Sequence, residues 1–536
     1  MKNYRILCTL FFGVAVLLFF GLAYPHHLHY QEQYQLFLFD RTYVWEIVRQ
    51  PGGIADLLGR FCTQFFLYAW VGAFIIGLLL SVVQLLMLRL VSWGRFYALS
   101  FVPSCLLWLF LLDENALLSG VWAVLLTLLV FGTLVKLPYG WVQRILFIIA
   151  IPVLYWMVGP VCLPVPVDSI WLGIHYYRYP TVFPVLLWYA SLSVFILILI
   201  ARVFHRWANA SNRCVVPLCS FVLMAAGMGC LVWENSNFRA EKVMRYDFMA
   251  RHQQWNRIFE TINEEQPNNQ IGVTVQNLAL AMRGMLADHM FKYHQNGISG
   301  LLPDAERDAT SPLPTAEVFY QLGMINIAQR LVFEAQEAIL DFQKSARCYK
   351  RLAQTNLING NYEVARKYLT ALQKTLFYRE WANETLPLLG DEKAIAKHPE
   401  YGRLRQLASD KNFYFGDHVT PQMLQTLFSS NTDNRLAYEY LMAYYLLTGD
   451  LGSFVNSVGW GEKLGYTAIP RHFQEALLLS WSISQEKAPP VQISSDITQR
   501  FGQFCSYIKS SAMTREELAQ YFGDTYWYYY FTSIKR

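Results

Sequence analysis

Charged residues are scarce in this 536-residue chain, at 15% of the total, and seven stretches in the first 232 residues contain none in their interiors. About 20 uncharged, apolar residues form a helix long enough to cross a bilayer. We therefore predict seven membrane spans, at 5–24, 65–87, 96–112, 116–135, 145–165, 182–200 and 214–232. Ionisable groups inside a bilayer usually mark an ion path or a proton relay, so their absence argues against a proton-coupled pump or ion exchanger.

Other chemical signatures are missing as well. The chain has no Cys-x-x-Cys pair, nucleotide-binding glycine loop, nucleophile elbow or His-Glu-x-x-His sequence, which removes the enzyme classes that depend on them. The first 232 residues carry 13 Lys and Arg against 7 Asp and Glu, and the rest of the chain is close to neutral. The basic charge thus flanks the predicted spans instead of forming a soluble basic face, and we expect neither a nucleic-acid partner nor a cofactor.

The basic residues also predict an orientation, because Lys and Arg near short loops are retained on the cytoplasmic side. Alternate loops separate into a basic set and a mixed set that also holds acids. The basic set contains Lys2, Arg5, Arg89, Arg95, Lys136, Arg144, Arg202, Arg206 and Arg213, and the mixed set contains Arg41, Arg49, Arg60 and Arg178. This pattern predicts a multi-pass inner-membrane protein with a cytoplasmic N-terminus and an extracytoplasmic, periplasmic C-terminal half. Gln84, a polar residue inside a span, is expected to form helix-to-helix hydrogen bonds.

We therefore expect an all-α protein in two parts, a transmembrane domain at 1–233 with a long outer loop at 25–60, and a helical domain at 234–536. In the second part apolar residues recur three and four positions apart, which is a helical period. This period predicts helices at 244–262, 273–293, 316–342, 348–357, 363–377, 423–428, 436–447 and 473–483. Short helices separated by small turns favour an array of helical hairpins.

Two segments of this half resemble the tetratricopeptide repeat. One runs from Tyr349 through Leu352, Ala353 and Gly360 to Ala365, and the other comprises Tyr438, Leu441, Tyr445 and Gly449. In that repeat an aromatic residue, a leucine and a small residue precede a glycine turn. The two glycines are not separated by a multiple of the repeat length, so the resemblance implies an irregular tetratricopeptide-like solenoid. Another α-hairpin solenoid is the alternative.

The loop between the first two spans holds the candidate site. Glu32 and Asp40 are the candidate catalytic carboxylates, and Arg41, Arg49 and Tyr34 are the candidate ligand-binding residues. Aromatic rings beside carboxylates and guanidinium groups can hold a sugar face and a phosphate. The alternative is that the acids and arginines pair with each other and that the rings lie among the lipid headgroups. Residues 36–48 also fit a short amphipathic helix on the membrane surface, followed by a break at 51–53.

This loop resembles that of the polytopic C-type glycosyltransferases, which transfer sugars from lipid-phosphate carriers. Members of that family begin with one span and a long outer loop in which an acidic residue beside aromatics acts as base or metal contact. Gln31-Glu32-Gln33-Tyr34 lies in that place here, followed by Asp40-Arg41, although Gln31 stands where a second adjacent acid is usual. The complete layout, seven spans followed by a tetratricopeptide-like domain, resembles an uncharacterised family of bacterial membrane proteins and implies no activity.

The remaining reactive residues suggest little chemistry. His26, His27 and His29 have a spacing that can bind zinc or copper, but no further ligand accompanies them, and we assign no metal. Cys348 and Cys505 could pair in an oxidising compartment or remain buried thiols. The aromatic run at 525–531 is interpreted as the buried cap of the last helices, with a sugar- or peptide-binding platform or a bilayer contact as alternatives.

Two functional classes follow. The first is a membrane-anchored binding protein, whose helical domain takes a protein, peptide or glycan partner in envelope assembly. The second is an enzyme of envelope glycan assembly, in which Glu32 or Asp40 is the base and Arg41 or Arg49 holds a lipid-linked phosphate. Solenoids usually bind rather than catalyse, which favours the first class without proving it.

Overall fold

The computed structural model describes residues 3–534 except 51, 92–96, 136–184 (of which 140, 145, 146 and 149 are described), 204–214, 304–310, 340–342, 409–419, 467, 485–490 and 511–513. Its described residues form helices and turns and contain no strand. The predicted all-α class is therefore confirmed for this part of the chain. The residues divide into two compact units, and neither unit is continuous in sequence.

The first unit comprises residues 1–244, 339–350 and 368–385. The described residues of its N-terminal part form nine helices: α1 (Asn3–Leu18), α2 (Pro25–Glu32), α3 (Arg41–Val48), α4 (Gly53–Thr63), α5 (Ala69–Val91), α6 (Val102–Phe110), α7 (Leu118–Val135), α8 (Val185–Val203) and α9 (Val215–Asn235). Helix α1 packs on α5, α4 on α7, and α6 on α8. The core between them is almost entirely aliphatic and aromatic.

Three helices of this unit are long and apolar enough to cross a membrane, at Tyr4–Ala23, Ala69–Leu90 and Val216–Asn235. They coincide with the first, second and last predicted spans. Shorter apolar helical stretches lie at Tyr97–Phe110, Leu118–Val130 and Val185–Ile198. A 3₁₀ turn and Pro103 interrupt the first of these. The prediction of seven spans is thus met by three helices among the described residues, and the span predicted at 145–165 lies almost wholly outside them.

Polar and small residues join α1 to α5, as expected for helices packed in an apolar environment. Gln84 is fully buried, accepts a hydrogen bond from Thr9 (2.9 Å) and donates one to Ser100 (3.0 Å). This arrangement confirms the predicted helix-to-helix role of Gln84. A Cβ atom on Gly77 would lie 2.9 Å from the carbonyl oxygen of Gly13, so the backbones of the two helices are in direct contact there.

The second unit comprises residues 245–338, 351–367 and 386–536. The helices that follow α9 along the chain are α10 (Phe238–Arg251), α11 (Trp255–Glu264), α12 (Gln270–Met282), α13 (Leu286–His289), α14 (Pro312–Leu322), α15 (Ile325–Ala338), α16 (Ala346–Ile358), α17 (Tyr362–Gln373), α18 (Arg379–Thr385), α19 (Glu392–Lys397), α20 (Pro399–Leu407), α21 (Thr420–Ser430), α22 (Arg435–Thr448), α23 (Leu451–Val458), α24 (Arg471–Ser484), α25 (Ser495–Ser510), α26 (Arg515–Phe522) and α27 (Tyr526–Tyr529). By the division given above, α10, α16 and α17 each contribute residues to both units, and α18 belongs to the first.

Both tetratricopeptide-like segments form a pair of helices joined at a glycine. Gly360 lies between α16 and α17 with φ +77°, and Gly449 lies between α22 and α23 with φ +73°. Glycine is favoured in this left-handed conformation because it has no Cβ atom. Ala353, the small residue compared with the repeat, is fully buried. The hairpins are present, but a tetratricopeptide-like solenoid is not confirmed by them.

Two smaller predictions are also resolved. Tyr526 and Trp527 of the aromatic run are fully buried, so the interpretation of this segment as a core cap is correct for these two residues. Cys348 and Cys505 do not form a disulfide with each other.

Candidate functional site

Residues 25–40, which we call the strap, contain both candidate carboxylates and belong to the first unit. The strap begins as helix α2 and continues as an extended segment from Gln35 to Asp40. At its start the carboxylate of Glu241 accepts hydrogen bonds from the backbone N–H groups of His26 (2.8 Å) and His27 (2.9 Å). The first N–H groups of a helix have no partner within the helix, and a negative charge there is favourable. Glu241 therefore fixes the beginning of the strap.

Glu32 lies at the last position of α2 and is 3% exposed. Its Oε1 accepts a hydrogen bond from the phenolic hydroxyl of Tyr378, at 2.9 Å. On either side, Gln31 donates to the carbonyl of Ala116 (3.1 Å), and Gln33 accepts from the guanidinium of Arg347 (2.7 Å). The carboxylate of Glu32 is therefore buried next to polar side chains, and their hydrogen-bond partners are distant in sequence.

The extended part of the strap is bound through its main chain. The N–H of Leu36 donates to the carbonyl of Lys344 (2.8 Å), and the N–H of Phe39 donates to the carbonyl of Lys374 (2.7 Å). Both acceptors belong to the two segments, 339–350 and 368–385, that fold with the N-terminal residues. A buried backbone N–H is costly to leave unpaired, so these bonds fix the path of the strap without depending on its side chains.

Asp40 ends the strap as the N-cap of α3. Its Oδ1 accepts from the backbone N–H of Thr42 (2.9 Å) and of Tyr43 (3.3 Å), and its Oδ2 forms an ion pair with the Nζ of Lys374. The hydrogen bond from Lys374, followed by that from the Thr42 hydroxyl, holds the pKa of Asp40 well below its usual range. A carboxylate with such a low pKa is a weak proton acceptor at neutral pH.

The predicted ligand-binding arginines do not share an accessible surface with Glu32. Arg41 and Arg49 are exposed at the two ends of α3, whereas Glu32 is buried. The guanidinium of Arg49 lies 4.6 Å from the ring centroid of Trp45, a cation–π contact. Tyr34 is half-buried, with its ring 4.7 Å from that of Tyr30.

A buried ion pair next to the strap was not foreseen as part of the site. Asp56 and Arg60 lie one turn apart on α4, and their side chains are 3% and 12% exposed. Arg60 donates from Nε (2.9 Å) and from Nη2 (2.7 Å) to the two carboxylate oxygens. Burial lowers the pKa of Arg60, but the charge of Asp56 more than offsets this effect, and the pKa is raised overall. The i,i+4 spacing of opposite charges is the sequence signal by which this pair could have been found.

The histidines of the strap occupy different environments. His27 is 1% exposed, and burial lowers its pKa to about 4. The rings of His26 and His29 are 5.6 Å apart, and the Nδ1 of His29 lies 3.1 Å from the carbonyl oxygen of Phe66. Within the described ranges no group of three His, Cys, Asp or Glu side chains is arranged to hold a metal ion.

We expect the buried His27 to make the fold acid-sensitive. Its pKa is lower in the folded chain than the ordinary value near 6.5, so stability is complete above that value and falls as the pH decreases toward 4. The loss from this residue is roughly 3 kcal/mol over that interval. Unfolding midpoints measured in detergent between pH 7.5 and pH 4 should therefore fall less steeply for His27→Gln than for the wild type.

The control for this experiment is His294→Gln, which removes an exposed imidazole. This variant should retain the wild-type dependence on pH. If His27→Gln retained it as well, the buried imidazole would not be the origin of the acid sensitivity.

Comparison with known proteins places the chain in a family without assigning it an activity. The chain belongs to a family of unknown function, DUF6057, whose model matches residues 2–533. No curated protein and no solved structure matches the chain.

Proposed function

Since the chain belongs to a family of unknown function, we propose from its geometry that it is a multi-pass inner-membrane protein that binds a partner in cell-envelope assembly. The apolar helices of the first unit would anchor it, and an extracytoplasmic helical domain would bind an envelope protein, a peptide or a glycan. Seven spans, a cytoplasmic N-terminus and a periplasmic, tetratricopeptide-like C-terminal domain are parts of this proposal. The three long apolar helices and the distribution of Lys and Arg support it.

The observation that carries the proposal is the structural use of both candidate carboxylates. Glu32 is buried against Tyr378, and Asp40 caps a helix and pairs with Lys374. A general base needs access to the proton that it removes and a pKa near the working pH. The burial of Glu32 and the low pKa of Asp40 both disfavour that role. These carboxylates hold a folded unit together, as expected of a scaffold.

The all-α architecture is consistent with binding. Paired helices such as α22 and α23 present side chains on surfaces that commonly take peptides or other proteins. This part of the proposal is a fold-level analogy, and it does not identify the partner.

A glycosyltransferase or ligase that uses a lipid-linked sugar donor is the second candidate. Arg41 and Arg49 favour it, since both are exposed on α3 and Arg49 contacts the exposed ring of Trp45. Guanidinium groups bind phosphate well, and an exposed indole can stack on a sugar. In that case Glu32 or Asp40 would have to act as base after a rearrangement of the strap.

Two variants distinguish these candidates in the full-length chain. Glu32→Gln and Tyr378→Phe each alter the same buried hydrogen bond, so a structural role predicts similar decreases in thermal stability and similar effects in a complemented deletion strain. A catalytic role predicts that Glu32→Gln abolishes an envelope-glycan product while Tyr378→Phe preserves it, at equal protein abundance. The second pattern would contradict the binding proposal. A normal glycan profile in the deletion strain would remove the enzyme candidate.

The topology needs its own test. A reporter fused after Arg536 that is active only outside the cytosol should be active when attached to the full chain. Activity of a cytosolic reporter at the same position would contradict the proposed orientation.

A further inference from the structure

The turn at residues 374–378 lies far along the chain from the apolar helices, yet it belongs to the first unit and presents apolar side chains outward. Leu376 is 42% exposed, and the neighbouring Phe377 is half-buried. An exposed leucine next to a half-buried phenylalanine, continuous with other exposed apolar rings, is unusual for a surface that contacts only water.

The turn is held firmly in this conformation. The carbonyl of Lys374 accepts from the strap at Phe39, and Tyr378 donates through its side chain to Glu32. The hydroxyl of Thr375 accepts from the N–H of Tyr378 (3.2 Å) and donates to the carbonyl of Leu372 (2.6 Å). These hydrogen bonds therefore fix the turn that carries Leu376 and Phe377.

The position of Phe377 relates the tip to the beginning of an apolar helix. Its ring centroid lies 5.5 Å from that of Phe65 and 5.4 Å from that of Tyr68. Tyr68 immediately precedes α5, which is 22 residues long in its apolar part and able to cross a membrane. Tyr68 is one helical rise, about 1.5 Å, from the first residue of α5. Phe377, whose ring contacts Tyr68, therefore lies beside the beginning of that helix.

Ring-to-ring contacts continue from Phe377 through other aromatic side chains of the same unit. Successive ring contacts link Phe377 to Phe65, Phe65 to Phe61 (5.6 Å) and Phe61 to Phe39 (6.5 Å). Phe39, Phe61 and Tyr68 are all more than a third exposed. Aromatic rings collect where a membrane helix meets the headgroup layer, because that layer accommodates both apolar and polar contacts.

We propose that the turn at 374–378 inserts Leu376 and Phe377 into the lipid layer at the level where α5 enters the bilayer. This inference rests on the proposed membrane location of α5. It adds a lipid contact made by residues about 140 positions beyond the last apolar helix. Arg379, which is exposed immediately after the tip, lies where a long basic side chain can reach headgroup phosphates, as such side chains do near a membrane surface.

The test uses the full-length wild-type protein in phosphatidylcholine vesicles that contain a phosphatidylcholine with a diazirine near the glycerol end of its acyl chain. After irradiation, peptides are identified by mass spectrometry. We expect labelled peptides from α5 and from residues 374–379, the latter labelled several-fold more than the peptide that contains Trp460. Trp460 is a suitable reference because it is 41% exposed and belongs to the second unit.

The variant Leu376→Glu adds a charge at the tip without filling a core position, and we expect it to reduce labelling of the turn several-fold. Val364→Glu is the matched control, since Val364 is 41% exposed on α17 in the second unit, and labelling of the turn should then stay at the wild-type level. Labelled α5 with an unlabelled turn would overturn this inference alone. Equal labelling of the turn in the wild type and in Leu376→Glu would also overturn it. An unlabelled α5 would instead overturn the membrane location.

Discussion

Replacing Asp56 by Asn should destabilise the protein by about 3–5 kcal/mol, because it leaves the buried guanidinium of Arg60 without its counter-charge. Asp56 and Arg60 are 3% and 12% exposed, and two hydrogen bonds of 2.7 and 2.9 Å join them. The partner left behind in such a site cannot regain its hydration, so removing one member costs more than the intact pair contributes. Chemical or thermal unfolding in detergent measures the loss directly.

A double variant separates the cost of an unpaired charge from the contribution of the pair. Asp56→Leu combined with Arg60→Met replaces both charges by apolar groups, and we expect it to be at least as stable as the wild type, and so about 3 kcal/mol or more above Asp56→Asn. Glu334→Gln is the surface control, because Arg330 and Glu334 are 55% and 36% exposed. Exposed pairs contribute at most about 1 kcal/mol. A small loss in Asp56→Asn, similar to that of the control, would show that water reaches Arg60.

The second large effect is expected at Glu475, which is 1% exposed and organises the C-terminal aromatic segment. Its two oxygens accept from the Nε of Arg471 (2.9 Å) and from the backbone N–H of Tyr526 (2.8 Å), and its Oε2 lies 2.9 Å from the Nδ1 of His472. Glu475→Leu removes all three contacts and leaves buried donors unpaired. We expect a cost of about 3–5 kcal/mol, as for other broken buried networks.

Local protection distinguishes this role from a general loss of packing. Tyr526 begins α27 and Trp527 is fully buried, so Glu475→Leu should increase amide exchange at 525–531 before it affects helices elsewhere. Glu475→Gln retains an acceptor and should lose about half as much stability. Glu462→Gln, at an exposed acid in the same unit, should leave both measurements unchanged. Unchanged exchange at 525–531 in Glu475→Leu would contradict the proposed anchoring of this segment.

Much of the local structure could be predicted from the sequence, because it depends on neighbouring residues. The uncharged stretches located the three long apolar helices, and the glycines at 360 and 449 located two helical hairpins. The pattern of the first loop indicated a short helix within 36–48 and a break at 51–53. The helix is α3, which begins only at Arg41, and the break coincides with the left-handed Gly52. Each of these features has a periodicity or a turn residue that can be read within about ten positions.

The role of the candidate site could not be predicted in the same way. Glu32 and Tyr378 are 346 positions apart, Asp40 and Lys374 are 334 apart, and Gln33 and Arg347 are 314 apart. Hydrogen bonds over such separations leave no periodic signal in a single sequence. The same carboxylates that suggest a sugar-transferring enzyme can therefore serve as structural acceptors, and only their partners distinguish the two roles.

The discontinuity of the first unit also constrains its biosynthesis. Residues 339–350 and 368–385 complete a unit whose other part ends at Met244. At elongation rates of about 5–20 residues per second, the ribosome reaches residue 385 roughly seven to thirty seconds after residue 244. Until then the carboxylate of Glu32 lacks its hydrogen-bond donor, Tyr378, and the N–H groups of Leu36 and Phe39 gain their carbonyl acceptors only when Lys344 and Lys374 have been translated. The nascent chain must therefore keep the strap hydrated, or shielded by a chaperone, until translation delivers the segments that cover it.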